Sequence, residues 1–397
     1  MRTPCSILLL FAAGLCCPAV AVAPQAPEPR RPVACELPEP VTRDTTLVES
    51  CEYPGGIVVA GSNLTLDCGG AVIDAAGARV GITIRGRGLH DILVRNCRIQ
   101  HPMSIGILVS SDLEEGAKSR LPVAERYAAS PSRVSIQDAS VVGAGNAGIY
   151  VDSYARDTRI QNVTVAASGG PGIYLEFSSV RTVVTDSTIT GNGYGTPDKP
   201  RRGGGLREGL AIDSSSDNRI SRSRFSGNAA GGVFLYKNCH EHQERKDSVP
   251  RWMPAAHNLI EANSFEEAGT GVWIASRQSR NLRSWNCGDP AYAPGFYRDY
   301  APDTTVSGNS FSGGRIGTRI EDDGAVVSGN VMSGVGACVI AGTSKRSEVL
   351  GLPVTGTVIR DNSCSGSTSD SFLFLFGSTP RACDGNTVEG KLASCNP

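Results

Sequence analysis

The sequence predicts an all-β chain wound into one parallel β-solenoid, and three observations carry the prediction. Two short apolar segment types alternate along most of the chain, and one of them recurs at steps in the low twenties. Glycine is abundant, at 47 residues, while aromatic residues are scarce at 6 %, which suits many short strands and tight turns better than helices.

The first segment type reads apolar, four residues, apolar: VRNCRI from Val94, IQDASV from Ile136, IQNVTV from Ile160 and VTDSTI from Val184. It continues as ISRSRF from Ile220, IEANSF from Ile260, VSGNSF from Val306, VSGNVM from Val327 and IRDNSC from Ile359. Ile136, Ile160 and Val184 are 24 residues apart, and Val306 and Val327 are 21 apart. The second type opens on glycine: GITIRG, GILVSS, GIYVDS, GIYLEF, GLAIDS, GVFLYK, GVWIAS and GTRIED. No such coil buries its apolar face alone, so the core forms only when coils stack at ~4.8 Å, the spacing of any sheet. An antiparallel sandwich would show hairpin turn pairs and no fixed step. Asn or Asp recurs two or three places into the first type, at Asn96, Asp138, Asn162, Asp186, Asn263, Asn309, Asn330 and Asn362, where it tolerates turn geometry and bonds between coils.

At the N-terminus, residues 1–23 read as an export signal, with Arg2 ahead of an apolar run from Ile7 to Val22 that ends in small residues. Cys16 and Cys17 invite lipidation, but Leu15 and Cys16 stand where a small residue is needed. Residues 24–40 form a proline-rich linker, and 41–397 the solenoid with its caps. Cys35 to Asp74 supplies irregular first coils and an N-terminal cap; SFLFLFG and Arg381 to Pro397 supply the last coil and a closing segment.

Ten cysteines lie outside the signal, none in CxxC spacing, which suggests disulfides in an exported chain. Cys239 and Cys287, one in each large insertion, are the expected pair. The formal net charge of −1 gives no footprint for nucleic acid and no general membrane attraction, and no later segment reads as a membrane span. The expected state is a monomer, exported to the periplasm or secreted.

Five insertions break the period: Ser111 to Pro131, Gly193 to Gly205, Asn238 to Ala256, Arg277 to Asp303 and Thr343 to Val354. All five flank the glycine-led strand, so they wall a groove along one side of a rigid scaffold. Between Glu208 and Asp303 fall all three tryptophans (Trp252, Trp273, Trp285) and three of the five histidines (His240, His242, His257).

Strand alternation sorts the glycine-led strands into inward aliphatics and two outward columns. One reads Tyr150, Tyr174, Ala211, Phe234, Trp273, Arg319; the other Asp152, Glu176, Asp213, Tyr236, Ala275, Glu321. Asp152, Glu176 and Asp213 would then stack ~5 Å apart, a like-charge ladder that costs stability. Rings beside carboxylates suit a sugar, whose C–H faces stack while its hydroxyls bond. Tyr236, Lys237 and His240 end the next strand beside that ladder. Arg251, Trp252, Arg277, Arg280, Trp285, Tyr297 and Arg298 fill the insertions with the opposite charge and more rings, which suits an acidic polymer. His240 and His242 flanking Glu241 are weak as metal ligands, and no metal ligand is assigned.

With these segments in hand, the chain resembles the right-handed parallel β-helix carbohydrate-active proteins, among them mannuronan C5-epimerases, polysaccharide lyases and polygalacturonase-like hydrolases. The resemblance spans roughly Asn63 to Asn386 and rests on the repeat and on NLTLDCGGAVID, GVFLYKNC and GVWIASRQSRN. Alginate epimerases commonly carry Asp-Pro-His-Asp, whereas the nearest string here, Asp289-Pro290-Ala291-Tyr292, lacks the histidine.

The resemblance implies removal of a proton next to a uronate carboxylate, by a lyase or a C5-epimerase. Such chemistry needs a cation on that carboxylate, a base and an acid. Arg277, with Arg319 second, fits the cation; His240, Lys237 or Tyr236 fits base or acid. A hydrolase or transglycosidase would instead use the pair Glu176 and Asp213. A non-catalytic solenoid would only bind polysaccharide. Asp152, Tyr174, Arg251, Trp252, Trp273, Arg280, Trp285, Tyr297, Arg298 and Arg319 are the expected substrate contacts, with an acidic poly- or oligosaccharide as partner. No cofactor is required, and Ca²⁺ is compatible.

Overall fold

Each coil lays down three strands in a fixed order, shown by Ile149–Val151, Arg159–Gln161 and Thr164–Ala166, after which Ile173–Leu175 starts the next coil. These feed an eleven-, a twelve- and a fourteen-stranded sheet respectively. The computed structural model describes residues 33–37, 40–236, 248–249, 253–275, 301–367, 370–393 and 395. Pairing from coil to coil is parallel and in register, Ile149 with Ile173, Ile160 with Val184 and Val165 with Ile189. The expected parallel solenoid is therefore the fold.

The first segment type bends between two sheets. Its third residue turns the corner in the left-handed region: Asn96 (φ 56°), Asp138 (φ 50°), Asn162 (φ 52°), Asp186 (φ 54°) and Asp361 (φ 54°). In other coils Gly308 and Gly329 take that place. The asparagines that sequence alone placed in one column thus divide into two. Asn263, Asn309, Asn330, Asn362 and Asn386 sit one position further on and are buried. Asn263, Asn309, Asn330 and Asn362 each donate Nδ2 to the next Oδ1 at 2.9–3.0 Å, and the backbone N–H of each donates to that same oxygen. The corner would otherwise strand buried backbone groups, and the amide ladder satisfies them.

Inside, the coils stack like on like. Phe225, Phe265 and Phe311 form a continuous stack with centroids 5.1 and 4.8 Å apart. Those rings explain the glycine that opens the second segment type. A Cβ on Gly232 would stand 2.5 Å from the Phe265 ring, and one on Gly271 2.5 Å from Phe311. Val233, Leu235, Val272 and Ile274 complete the core on the groove side, all at 0 % exposure.

The coils begin earlier than the visible repeat. Val33–Ala34 pairs with Cys51 and Glu52, inside the span read as linker, and Ile57–Val59, Leu64–Asp67 and Val72–Asp74 already join the three sheets. At the far end Thr387–Val388 pairs antiparallel with Lys391–Leu392. Among the described residues the disulfides are Cys35–Cys51 and Cys68–Cys97 towards one end and Cys338–Cys364 and Cys383–Cys395 towards the other. Such bonds persist in oxidising compartments, in agreement with export. The expected Cys239–Cys287 bridge lies outside the described residues.

Three insertions are described. Ser111 to Pro131 holds two short helices, Glu115–Arg120 and Val123–Ala129. Gly193 to Gly205 holds a small antiparallel pair and a 3₁₀ turn, and Thr343 to Val354 holds the helix Ser344–Leu350. All three adjoin strands of the eleven-stranded sheet. Among the described residues no helix is long and apolar enough to cross a membrane.

Candidate functional site

The outer face of the eleven-stranded sheet carries the predicted columns in register. Tyr150 pairs with Tyr174, Tyr174 with Ala211, Ala211 with Phe234, Phe234 with Trp273 and Trp273 with Arg319. Asp213 pairs with Tyr236, and the backbone bonds of Asp152 to Val109, Glu176 to Val151 and Glu321 to Ile274 keep the second column in step. Although these side chains point away from the core, Tyr174, Glu176, Asp213, Phe234 and Tyr236 are buried.

The acidic residues do not form the bare ladder expected from the sequence, because each carboxylate has protein donors. Tyr150 Oη donates to Glu176 Oε2, and Tyr174 Oη donates to Asp213 Oδ2. The two tyrosine rings stack at 5.1 Å and 17°. Asp152 accepts from Ser110 Oγ at 2.5 Å and from Lys118 Nζ at 3.0 Å. Lys118 lies in the helix Glu115–Arg120 and is 5 % exposed, so a helical insertion brings a buried cation to the first carboxylate. Bonded phenols and a lysine relieve the repulsion that stacked charges would create.

A second group stands beside these. Arg207 Nη2 donates to Tyr236 Oη and, at 3.1 Å, to Glu208 Oε1, while Tyr236 Oη donates to Glu208 Oε1 at 2.5 Å. Burial alone would pull the Arg207 guanidinium down, yet Glu208 and Tyr236 hold it well above its ordinary value. Burial pushes the Tyr236 phenol well up; Arg207 opposes this and Glu208 and Asp213 add to it. Tyr174 is raised in the same way by burial, Asp213 and Glu176, and Tyr150 by burial, Glu176 and Asp152. All three phenols are therefore held in the protonated form and donate hydrogen bonds.

Glu208 also lines a groove of about 880 Å³ with Leu206, Phe234, Trp273, Arg315 and Arg319. Phe234 meets Trp273 edge-on at 5.2 Å, and the Arg319 guanidinium lies 5.1 Å from the Trp273 ring centroid. Arg319 Nη2 pairs with Glu321 Oε1 at 2.6 Å. Its Nε–H and the Trp273 Nε1–H are buried with no acceptor among the described residues. Unpaired buried donors are uncommon in native proteins and call for an explanation.

The structure thus brings together Glu176, Asp213, Tyr174 and Tyr236, sets Trp273 and Arg319 beside them along the groove, and binds Asp152 to Lys118. Lys237, His240, Arg251, Trp252, Arg277, Arg280, Trp285, Tyr297 and Arg298 lie outside the described residues. Sequence reasoning missed Lys118, Arg207 and Glu208. By alternation Glu208 falls on the side of Leu210 and Ile212, and only a bend ahead of the strand turns it to the groove. Its place at the head of EGLAID, with Arg207 before it, was the available signal. Among the described residues no group of three or more His, Cys, Asp or Glu could hold a metal ion.

Fold and site together define a β-solenoid protein with a ring-lined, charged groove on one sheet. Residues 80–287 match the family described as right handed beta helix region, and the chain belongs to that family. The solenoid is accordingly right-handed. No curated protein matches the chain in sequence.

Three solved structures are similar in fold. The catalytic unit of the thermostable GH87 α-1,3-glucanase from Streptomyces thermodiastaticus is 11 % identical (TM-score 0.55; 92 % of this chain, 64 % of that one). PfbA, a surface adhesin of Streptococcus pneumoniae, is 12 % identical (TM-score 0.51; 83 % and 84 %). ORF18 of Geobacillus virus E2 is 12 % identical (TM-score 0.48; 84 % and 56 %). The chain therefore spans a little over half the length of the viral protein and under two thirds of the glucanase unit.

Proposed function

We propose that the chain is an exported polysaccharide-modifying enzyme that acts on a uronate-containing polymer by removing the proton at C5, as a lyase or a C5-epimerase. An α-glucanase and an adhesin share the scaffold, so the reading rests on the site and not on the fold. The observation that carries it is the Arg207–Tyr236–Glu208 triplet. A buried phenol fixed by hydrogen bonds between a guanidinium and a carboxylate is a preorganised hydrogen-bond donor, placed to serve as the acid. Glu208 of that triplet faces the groove in which Arg319 and Arg315 stand beside Trp273.

In this mechanism Tyr236 gives a proton to the leaving oxygen, or to C5 on the opposite face. Arg319, which lines the groove and whose Nε–H has no acceptor among the described residues, helps neutralise the substrate carboxylate together with Arg277. His240 or Lys237 is the base, as read from the sequence. The polymer's rings stack on Trp273 and Phe234.

One observation favours a second reading, a hydrolase or transglycosidase. Glu176 and Asp213 are buried on consecutive coils, each bonded to a tyrosine of the preceding coil. Two adjacent carboxyl groups are what glycosidic bond cleavage with retention needs.

The test is turnover of uronate polymers by the purified chain and by Tyr236→Phe. Loss of the phenolic proton should lower kcat a hundredfold or more, on the order expected for a general acid, with KM changed little. If Tyr236→Phe keeps full activity while Glu176→Gln abolishes it, the hydrolase reading replaces this one. If no polymer is modified, the chain is a binding solenoid.

A further inference from the structure

We propose that Phe376 is the stacking platform of a second saccharide subsite, beyond Arg319 at the C-terminal end of the groove, that takes a uronate unit of the same polymer. This deepens the reading above and rests on it for the identity of the sugar.

Phe376 is 54 % exposed, so it contributes little to the core. Its φ is 58°, a left-handed conformation that costs a bulky residue on the order of 1 kcal/mol or more. Gly377 follows directly and also has positive φ, so a turn made for its own sake would favour glycine or asparagine at both places. A strained, exposed ring persists only where its surroundings hold it there.

Those surroundings are built. Ser347 Oγ donates to the Phe376 carbonyl at 3.1 Å, tying the turn to the helix Ser344–Leu350. That helix is fixed by Arg346, whose Nη1 donates to Asp322 Oδ1 at 2.9 Å, with the two side chains only 2 % and 0 % exposed. A hydrogen-bonded ion pair this deep is a stiff support for an otherwise exposed turn.

Phe376 lines a cavity of about 540 Å³ together with Ile340, Arg319 and Lys345. Arg319 lines the larger groove as well, so the two spaces share a wall. Along the sheet Trp273, Arg319, Ile340 and Leu373 are successive partners, three steps or ~14 Å. An aromatic platform that shares its cavity with the cations Arg319 and Lys345 fits a sugar ring bearing a carboxylate. Lys345 pairs with Glu348, which is more than half exposed, and an exposed pair of this kind yields readily to an anionic ligand.

The experiment measures equilibrium binding of short and long oligomers of polygalacturonate and of alginate to the full chain, Phe376→Gly and Phe376→Trp. Phe376→Gly relieves the backbone strain, so its denaturation midpoint should equal or exceed that of the parent. Its affinity for long oligomers should nonetheless fall about tenfold, with a smaller loss for short ones, while Phe376→Trp retains affinity. Undiminished binding by Phe376→Gly overturns the subsite even if the parent converts the polymer. A parent that binds in this manner without converting any polymer sinks the enzymatic reading and leaves the subsite standing. Failure of the parent to bind either polymer overturns both.

Discussion

Tyr174 donates its phenol to Asp213 on the next coil, two residues beyond the position directly opposite, and Tyr150 stands in the same relation to Glu176. This diagonal bonding lets acidic side chains stack on consecutive coils without facing one another bare. It also sets a hydrogen-bond donor next to each of these two buried carboxylates.

Tyr174→Phe keeps the ring stack with Tyr150 and removes only the donor to Asp213. A buried acceptor that loses one partner costs about 1–3 kcal/mol, so urea unfolding should show a loss of that size with an unchanged m-value. A neutral outcome would mean that the bond contributes nothing to stability.

The asparagine ladder should be less forgiving at its centre than at its end. Asn330 serves both Asn309 and Val306 on one side and Asn362 on the other. Asn330→Ala leaves several buried groups unpaired, each costing about 1–3 kcal/mol, and should greatly reduce or abolish the folded state. Asn386→Ala, at the end of the ladder, should cost less. Equal losses from the two would contradict the ladder as the unit of stability.

Glu267 gives a pH dependence of definite sign. Both its oxygens accept from Asn228, at 2.7 and 2.6 Å, and burial pushes its carboxyl up to about 7 from an ordinary value of 4.5. Its folded-state value is raised, so the stability it contributes is present in full below about pH 4.5 and lost as pH rises through 7. The loss is on the order of 3 kcal/mol. Glu267→Gln should remove this slope. It should also be less stable than the parent at acid pH, since its amide nitrogen cannot accept from Asn228. A slope unchanged by the substitution would assign the effect elsewhere.

The buried pair of Lys118 with Asp152 holds a helical insertion to the sheet. Lys118→Met leaves Asp152 without its cation, and breaking such a pair costs about 3–5 kcal/mol. The loss should be local, read as faster proteolytic cleavage within residues 111–131. Unchanged cleavage would mean that other contacts hold the helices.

The columns from Tyr150 to Arg319 were legible to the residue, because strand alternation and the leading glycine fix both side and register. The corner residues were only half legible. Asn162 and Asn330 look alike in sequence, yet one turns the chain in the left-handed region and the other is buried in the amide ladder, and a one-residue shift decides which. Glu208 and Arg207 escaped because a bend ahead of the strand breaks the alternation that located their neighbours. Lys118 escaped because a partner supplied by an inserted helix is chosen by tertiary packing, which leaves no period in the chain. Of the early coils read between Cys35 and Asp74, only the start was missed, because Val33–Ala34 is a strand of two residues, too short to repeat visibly.

Proton abstraction at C5 leaves a mark that no hydrolase makes. When the chain acts on a uronate polymer in deuterated water, proton NMR of the products should show deuterium at C5 of inverted residues, or the vinylic signal of unsaturated ends. Saturated new reducing ends with C5 still fully protonated would contradict the proposed chemistry and assign the groove to Glu176 and Asp213.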